Sequence, residues 1–163
     1  MDKTLVIYYS YTGNSKKVAE YVKERLNADI LELQPKEPFS SNYDEVVNEW
    51  QNNDIKRDVE IKDINIDLNK YKNIVLITCV WWYGISPVMK RFLKDYDLSN
   101  KNIIVAALNA GWIGHSFKDY ENLLQNANIK GKLDVVFSSN EYERDKMITS
   151  YKELDNWIEK IKY

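Results

Sequence analysis

The segment Ile7-Tyr8-Tyr9-Ser10-Tyr11-Thr12-Gly13-Asn14-Ser15 decides the fold of this chain. Its β-branched and aromatic residues stop abruptly at small and polar residues, which is typical of a strand that ends in a tight loop. A helical pattern follows, because Val18, Val22 and Leu26 recur on one face at 3.6-residue spacing. A loop between a strand and a helix N-terminus presents unpaired N–H groups and the positive end of a helix dipole. The segment therefore predicts a binding site for a phosphate group.

The side chains of this loop favour the same interpretation. Ser10, Thr12 and Ser15 each carry a hydroxyl, and Gly13 allows the backbone to approach a ligand closely. An ordinary N-capped turn is the simpler alternative, since most helix starts use such residues as caps. We favour the phosphate site because hydroxyl and amide residues surround the glycine in larger number than capping needs. The commoner nucleotide motifs, G-x-x-x-x-G-K-[ST] and G-x-G-x-x-G, do not occur in the sequence.

Composition restricts the class of protein. The 163 residues, 44% of them hydrophobic, suit a single domain spanning 1–163. The formal net charge of −2 comes with no basic patch, so we expect no nucleic-acid partner. No apolar run is long enough to span a bilayer and no signal peptide precedes the first strand, so we expect no membrane association and a cytoplasmic location. A single cysteine, Cys79, and a single histidine, His115, predict no disulfide and no metal site.

Apolar runs alternate with helical patterns along the whole chain. The predicted strands are Thr4–Tyr9, Ile30–Leu33, Ile74–Val80, Ile103–Leu108 and Leu133–Phe137, with Gly131 in the turn before the last, and the predicted helices cover about 14–27, 43–53, 86–96, 115–126 and 142–161. The strands are continuously apolar, as in a parallel sheet buried on both faces. Strict alternation predicts a single doubly wound α/β sandwich with a five-stranded parallel sheet of order 2-1-3-4-5 and helices on both faces.

One long connection, from Gln34 to Tyr71, interrupts this alternation. It is rich in acidic residues, namely Asp44, Glu45, Glu49, Asp54, Asp58, Glu60, Asp63 and Asp67. We interpret it as a solvated excursion over the sheet, because runs of charged residues usually lie on the solvent-exposed surface. A docking surface for a basic redox partner is the alternative.

Ligands of doubly wound sheets bind at the carboxyl ends of strands where the strand order reverses, so the loops after the third and fourth predicted strands should also be unusual. The third strand runs into Val80-Trp81-Trp82-Tyr83-Gly84, and the fourth into Asn109-Ala110-Gly111-Trp112-Ile113-Gly114-His115. Three consecutive aromatic residues cannot all enter the core from one loop, so at least one should lie flat on a ring ligand. A hydrophobic plug at the sheet edge, and a plain loop with two glycines, are the alternatives.

Other doubly wound classes are excluded by their chemistry. A receiver domain needs an Asp at the end of the third strand, where this chain has Thr78-Cys79-Val80, and a small tyrosine phosphatase needs Cys-x5-Arg, where Cys79 is followed at that spacing by Ile85. Cys79 is best interpreted as a small buried apolar residue. No Ser-His-Asp arrangement is visible, so we predict no catalytic side chain.

The string Ser10-x-Thr12-Gly13-Asn14-Ser15 resembles the phosphate loop of the flavodoxin family, which holds the phosphate of FMN. Trp82-Tyr83-Gly84 with Ser86-Pro87 is similar to the second flavin loop of that family, and Gly114-His115-Ser116 to its third. The resemblance implies a flavodoxin-like fold and FMN as cofactor. The implied cofactor-binding residues are Ser10, Tyr11, Thr12, Gly13, Asn14, Ser15, Val80, Trp81, Trp82, Tyr83, Gly84, Asn109, Ala110, Gly111, Trp112, Gly114 and His115.

The resemblance leaves three functional hypotheses. The first is an electron-transfer protein that passes electrons through non-covalently bound FMN between redox partner proteins, such as an enzyme of the flavodoxin reductase type or another oxidoreductase. The second is an NAD(P)H-dependent FMN-containing reductase of quinones, flavins or nitro compounds. The third is a flavin-free interaction module. We favour the electron carrier, because the aromatic loop crowds the ring site and no nicotinamide site is visible.

Overall fold

Side chains along the first strand alternate between the two faces of the sheet, and both faces are buried. In the computed structural model, which describes residues 2–51 and 58–162, Leu5 and Ile7 pack on one face while Val6 and Tyr8 pack on the other. All four are buried because helices cover both faces. The predicted doubly wound architecture is therefore confirmed.

The elements follow in the order β1 (Thr4–Tyr8), α1 (Asn14–Leu26), β2 (Asp29–Glu32), α2 (Tyr43–Gln51), β3 (Asn73–Trp81), β4 (Gly84–Ile85), α3 (Pro87–Asp95), β5 (Asn102–Asn109), α4 (Ser116–Leu123), β6 (Asn128–Val136) and α5 (Tyr151–Glu159). Short 3-10 turns lie at Leu68–Lys70 and Lys160–Lys162. The parallel strands are arranged β2-β1-β3-β5-β6, which is the predicted order of five strands. The order reverses between β1 and β3, so the carboxyl ends of these strands border the expected site.

Three local predictions need correction. The last helix begins at Tyr151 rather than near residue 142, because Ser150 and Glu153 form a reciprocal capping box there. Met147, which fits the apolar stripe of the predicted helix, lies instead in an isolated bridge with Phe137. The final strand begins at Asn128 rather than Leu133, so Gly131 lies inside β6, next to a register shift, and not in a turn. Residues 52–53 of the predicted 43–53 helix lie outside the described residues.

The strand β4 was not predicted. It pairs antiparallel with the end of β3, through Val80 with Ile85 and Trp81 with Gly84, and so makes a two-residue hairpin. Asn-Gly and Asp-Gly are the usual signals of such turns, and the turn here is Trp82-Tyr83. Across residues 2–51 and 58–162, no helix has the length and apolar character that a membrane crossing requires.

Candidate functional site

The loop between β1 and α1 forms a cradle of hydrogen-bond donors. Gly13 has a φ of 102°, which only glycine adopts without strain, and its N–H donates to the Ser10 hydroxyl at 3.0 Å. Ser15, in the first turn of α1, is 2% exposed. Among the described residues, the amides of Thr12, Asn14 and Ser15 have no hydrogen-bond partner within the protein. The loop therefore offers free donors at the positive end of a helix, as an anion requires.

A cavity of about 640 Å³ opens beside this loop. Its volume falls within the range of roughly 300–1,000 Å³ that cofactor sites occupy. The cradle and the carboxyl end of β5 form two of its walls, and Cys79 of β3 borders it. The lining residues include Tyr11, Thr12, Asn14, Ser15, Cys79, Leu108, Asn109 and Ala110. The cavity thus lies at the carboxyl edge of the sheet, where strand order reverses.

The connection between β6 and α5 adds a wall that the sequence analysis missed. Ser138, Ser139, Arg144 and Asp145 line the same cavity. The Asn14 side chain donates to the Arg144 carbonyl at 3.0 Å, and Lys17 forms an ion pair with Asp145 at 3.7 Å, so α1 holds this connection in place. The sequence contained a signal for this wall. Because the last predicted strand runs parallel to the one before it, the residues that follow it must lie at the carboxyl edge of the sheet. The predicted 142–161 helix obscured it.

Backbone strain marks the second predicted loop. In the β3–β4 hairpin, Trp82 has a φ of 51° and Tyr83 a φ of 71°. Positive φ at both central positions is the signature of a type I′ turn, which bulky side chains rarely adopt. The turn keeps Trp82 half-buried and Tyr83 exposed. Strain of this kind tends to accumulate at functional sites, where the surrounding structure maintains it.

The third loop clamps this hairpin from the side. The His115 N–H donates to the Tyr83 carbonyl at 2.7 Å. Gly114, with a φ of 58°, passes so close that a Cβ there would lie 2.0 Å from the Tyr83 carbonyl oxygen. The Asp119 carboxylate completes the clamp, accepting from the Ile85 N–H at 3.1 Å and contacting His115 Nδ1 at 2.8 Å. The second and third loops therefore form one fixed unit.

The exposed rings of the two loops touch each other. The Tyr83 and Trp112 ring centroids lie 4.7 Å apart at 56°, and the residues are 50% and 64% exposed. A flat ligand stacked between two rings needs about 7 Å, two contact distances of ~3.5 Å. A flat ring ligand at these residues would therefore have to cover the outside of this pair or separate the two rings.

The remaining predicted residues have structural surroundings of their own. Trp81 packs among Tyr9, Tyr11, Phe39 and Trp50, at centroid distances of 4.9 to 6.4 Å. This cluster is the hydrophobic plug that the sequence analysis left open for the aromatic run. A Cβ on Gly84 would lie 2.4 Å from an Asp119 carboxylate oxygen, so glycine is required there. Asn109 shapes the third loop, since its amide oxygen accepts from the Gly111 N–H at 3.0 Å.

Cys79 borders the cavity as a neutral thiol. Burial raises its pKa from 9.0 to about 11, because the low-dielectric surroundings disfavour the thiolate. A thiol of this pKa is a poor nucleophile at neutral pH. Among the described residues, no group of three or more His, Cys, Asp and Glu side chains is arranged to hold a metal ion.

The sheet, the cradle at its edge and the aromatic loops define an α/β protein of the doubly wound type with a cradle of free backbone donors at the point of strand reversal. The chain belongs to the flavodoxin family, because the family model described as Flavodoxin matches residues 3–161. A comparison with curated proteins finds no match.

Solved structures share the fold across nearly their whole length. A flavoprotein from Lactobacillus acidophilus NCFM, solved in complex with FMN, is 24% identical with a TM-score of 0.68; the match covers 96% of this chain and 99% of that one. A protein of Bacteroides eggerthii DSM 20697 assigned as a flavoprotein is 19% identical with a TM-score of 0.76, covering 100% and 99%. Oxidised Flavodoxin 2 from Bacillus cereus is 17% identical with a TM-score of 0.58, covering 98% and 97%.

Proposed function

We propose that this protein binds FMN non-covalently at the carboxyl edge of its sheet and transfers electrons between redox partner proteins. The observation that carries the proposal is the donor cradle of Ser10–Ser15, open to a cavity of about 640 Å³ at the point of strand reversal. Family membership and the FMN complex of the L. acidophilus flavoprotein support the choice of ligand.

The cradle fits the phosphate end of FMN. The free amides of Thr12, Asn14 and Ser15 can donate to phosphate oxygens, and the Ser10 hydroxyl can donate while its oxygen keeps accepting from Gly13. Hydrogen bonds to a charged acceptor are the stronger ones, worth about 1.5–3 kcal/mol each. The phosphate would therefore anchor the cofactor at this end.

The aromatic unit of the second and third loops fits the ring end. Tyr83 and Trp112 expose apolar ring area in the loops that follow β3 and β5, although neither residue lines the cavity itself. Trp82 is half-buried, and its ring centroid lies 6.3 Å from that of Tyr83. FMN supplies the redox chemistry, accepting and releasing electrons at its ring. The chain's own residues hold the ring, exclude water from one side of it and leave an edge accessible to a partner.

An electron carrier is favoured over an enzyme because the ionisable residues described in the cavity are not placed for acid–base chemistry. Asp145 is engaged by Lys17, and the raised pKa of Cys79 keeps that thiol neutral. Neither is therefore placed as a free acid or base. The acidic connection is partly neutralised within the chain, since Asp58 pairs with Arg91 and Glu60 with Lys36; Asp54 lies outside the described residues. This pairing favours a solvated excursion over a docking surface.

Two measurements on the purified protein test the proposal. A visible flavin spectrum, or saturable FMN binding by titration calorimetry, is expected; a colourless protein with no FMN binding would contradict the cofactor assignment. Anaerobic mixing with NADPH and then NADH should reduce the bound flavin slowly, and a separate flavodoxin reductase should accelerate the reaction. Rapid reduction by NAD(P)H alone, with turnover on a quinone, would replace the carrier with the reductase.

A further inference from the structure

Arg144 is the one cation among the described residues that line the main cavity. It lies in the connection between β6 and α5, which begins beside the carboxyl end of β5. Its carbonyl accepts from the side chain of Asn14, the first residue of α1. The backbone of Arg144 is therefore fixed directly beside the phosphate cradle.

The guanidinium of Arg144 contacts an aromatic ring and, among the described residues, pairs with no carboxylate. Its central carbon lies 5.8 Å from the centre of the Tyr43 ring, in a cation–π arrangement. The Tyr43 ring in turn lies 6.5 Å from the ring of Tyr11, which belongs to the cradle. Within residues 2–51 and 58–162, Arg144 forms no ion pair, whereas the neighbouring Asp145 is neutralised by Lys17. An uncompensated positive charge thus borders the same cavity as the cradle.

The remainder of the cradle is neutral. Its donors are hydroxyls and backbone amides, and a phosphate monoester carries a charge between about −1.5 and −2 at pH 7. Lys16 and Lys17 follow the loop, but Lys17 points to Asp145 and neither lines the cavity. A guanidinium binds phosphate through two parallel N–H donors that carry a full positive charge, and that charge is what a cradle of neutral amides and hydroxyls lacks.

From these contacts we propose that Arg144 is the cationic partner of the ligand's phosphate group and determines the preference of this protein for FMN over riboflavin. The inference rests on the proposed FMN site and deepens it. Tyr43 holds the guanidinium ready through its ring face, so the side chain loses little freedom when the phosphate binds.

The test compares the affinities of FMN and riboflavin for matched variants. Arg144→Gln should weaken FMN by about tenfold or more, and riboflavin by less than about twofold, because only FMN carries the phosphate. Arg144→Lys should restore part of the loss, since it keeps the charge without the fork. Lys146→Gln removes the same charge from the same connection, outside the cavity lining, and should leave both affinities near wild type.

Ionic strength supplies an independent readout. FMN affinity of the wild type should fall as salt is raised, and Arg144→Gln should show a weaker dependence. Equal losses for FMN and riboflavin in Arg144→Gln, or no loss for either, would overturn the inference while leaving FMN binding intact. Failure of the wild type to bind FMN would overturn the proposed function and this inference together. Thermal unfolding of each ligand-free variant separates a binding defect from a folding defect.

Discussion

The Asp119 carboxylate should make the most stabilising contact between α4 and the β3–β4 hairpin. The variant Asp119→Ala measures how much this contact contributes to the free energy of unfolding. The side chain of Asp119 is 20% exposed, and the Ile85 amide that donates to it belongs to a residue that is 5% exposed. Removing the acceptor leaves a buried N–H without a partner, which costs about 1–3 kcal/mol. The favourable position of Asp119 in the first turn of α4 adds about 0.3–1 kcal/mol.

The contact of Asp119 with His115 adds little, because the histidine side chain is 60% exposed and exposed pairs are worth at most about 1 kcal/mol. The sum is a destabilisation of about 3 kcal/mol. For a chain of 163 residues, each kcal/mol lowers Tm by roughly 2–4 °C, so we expect a decrease of about 9 °C. Thermal and urea unfolding followed by circular dichroism provide the measurement.

Two matched variants separate the parts of this estimate. Asp119→Asn keeps an oxygen that can accept from Ile85 N–H and loses only the charge, so it should cost about 1 kcal/mol. Glu121→Ala, on the same helix, removes an exposed carboxylate paired with Lys132 and should cost less than about 1 kcal/mol. Equal destabilisation by Asp119→Ala and Asp119→Asn, or an Asp119→Ala protein within about 1 kcal/mol of wild type, would refute the assignment of the Ile85 hydrogen bond as the dominant contribution.

Three further predictions concern the cavity. Thr12→Ala should weaken FMN by about tenfold through loss of one charged hydrogen bond and leave riboflavin almost unchanged, as measured by calorimetric titration; equal losses would contradict a phosphate contact. Replacing Trp82 and Tyr83 together by Ala should raise the fluorescence of bound flavin or release the flavin, whereas unchanged quenching and affinity would count against ring stacking by this hairpin. Because the pKa of Cys79 is raised to about 11, its thiolate fraction at pH 8 is about 0.1%, and iodoacetamide labelling should stay slow there and accelerate as pH rises toward 11. Labelling at pH 8 as fast as that of free cysteine would show an unshifted thiol.

The central strands could be predicted from the sequence because their burial is complete. Residues 74–77 and 103–107 are wholly shielded on both faces, so their apolar runs are continuous and strand assignment needs no tertiary information. For the edge strand β6, the sequence predicted only the second half, from Leu133 onward. Asn128, Lys130 and Lys132 leave its first half polar, because that part of the strand is only partly buried.

The end of the chain shows a conflict between two sequence signals. Met147 and Tyr151 fit one apolar helical stripe, and that stripe extended the predicted last helix too far toward the N-terminus. The Ser150 and Glu153 capping box gives the true start and is readable from the sequence alone. Of the site, the cradle and the two aromatic loops could be located by where their strands end. The clamp through Gly114 and Asp119, and the approach of Arg144 to Asn14, depend on contacts between distant segments, which no local pattern contains.

The strained turn of the β3–β4 hairpin could be replaced to raise thermal stability, at the cost of the two aromatic rings that it carries. Each non-glycine residue in the left-handed region costs roughly 1–2 kcal/mol, and Trp82 and Tyr83 both occupy it. Asn-Gly at these two positions would suit the type I′ turn and remove that strain. The resulting protein would resist heat better and would also lose both rings from the hairpin at the carboxyl end of β3. Screens that select this chain only for thermal tolerance should therefore converge on this turn and produce heat-stable proteins that lack the two rings proposed to contact the flavin.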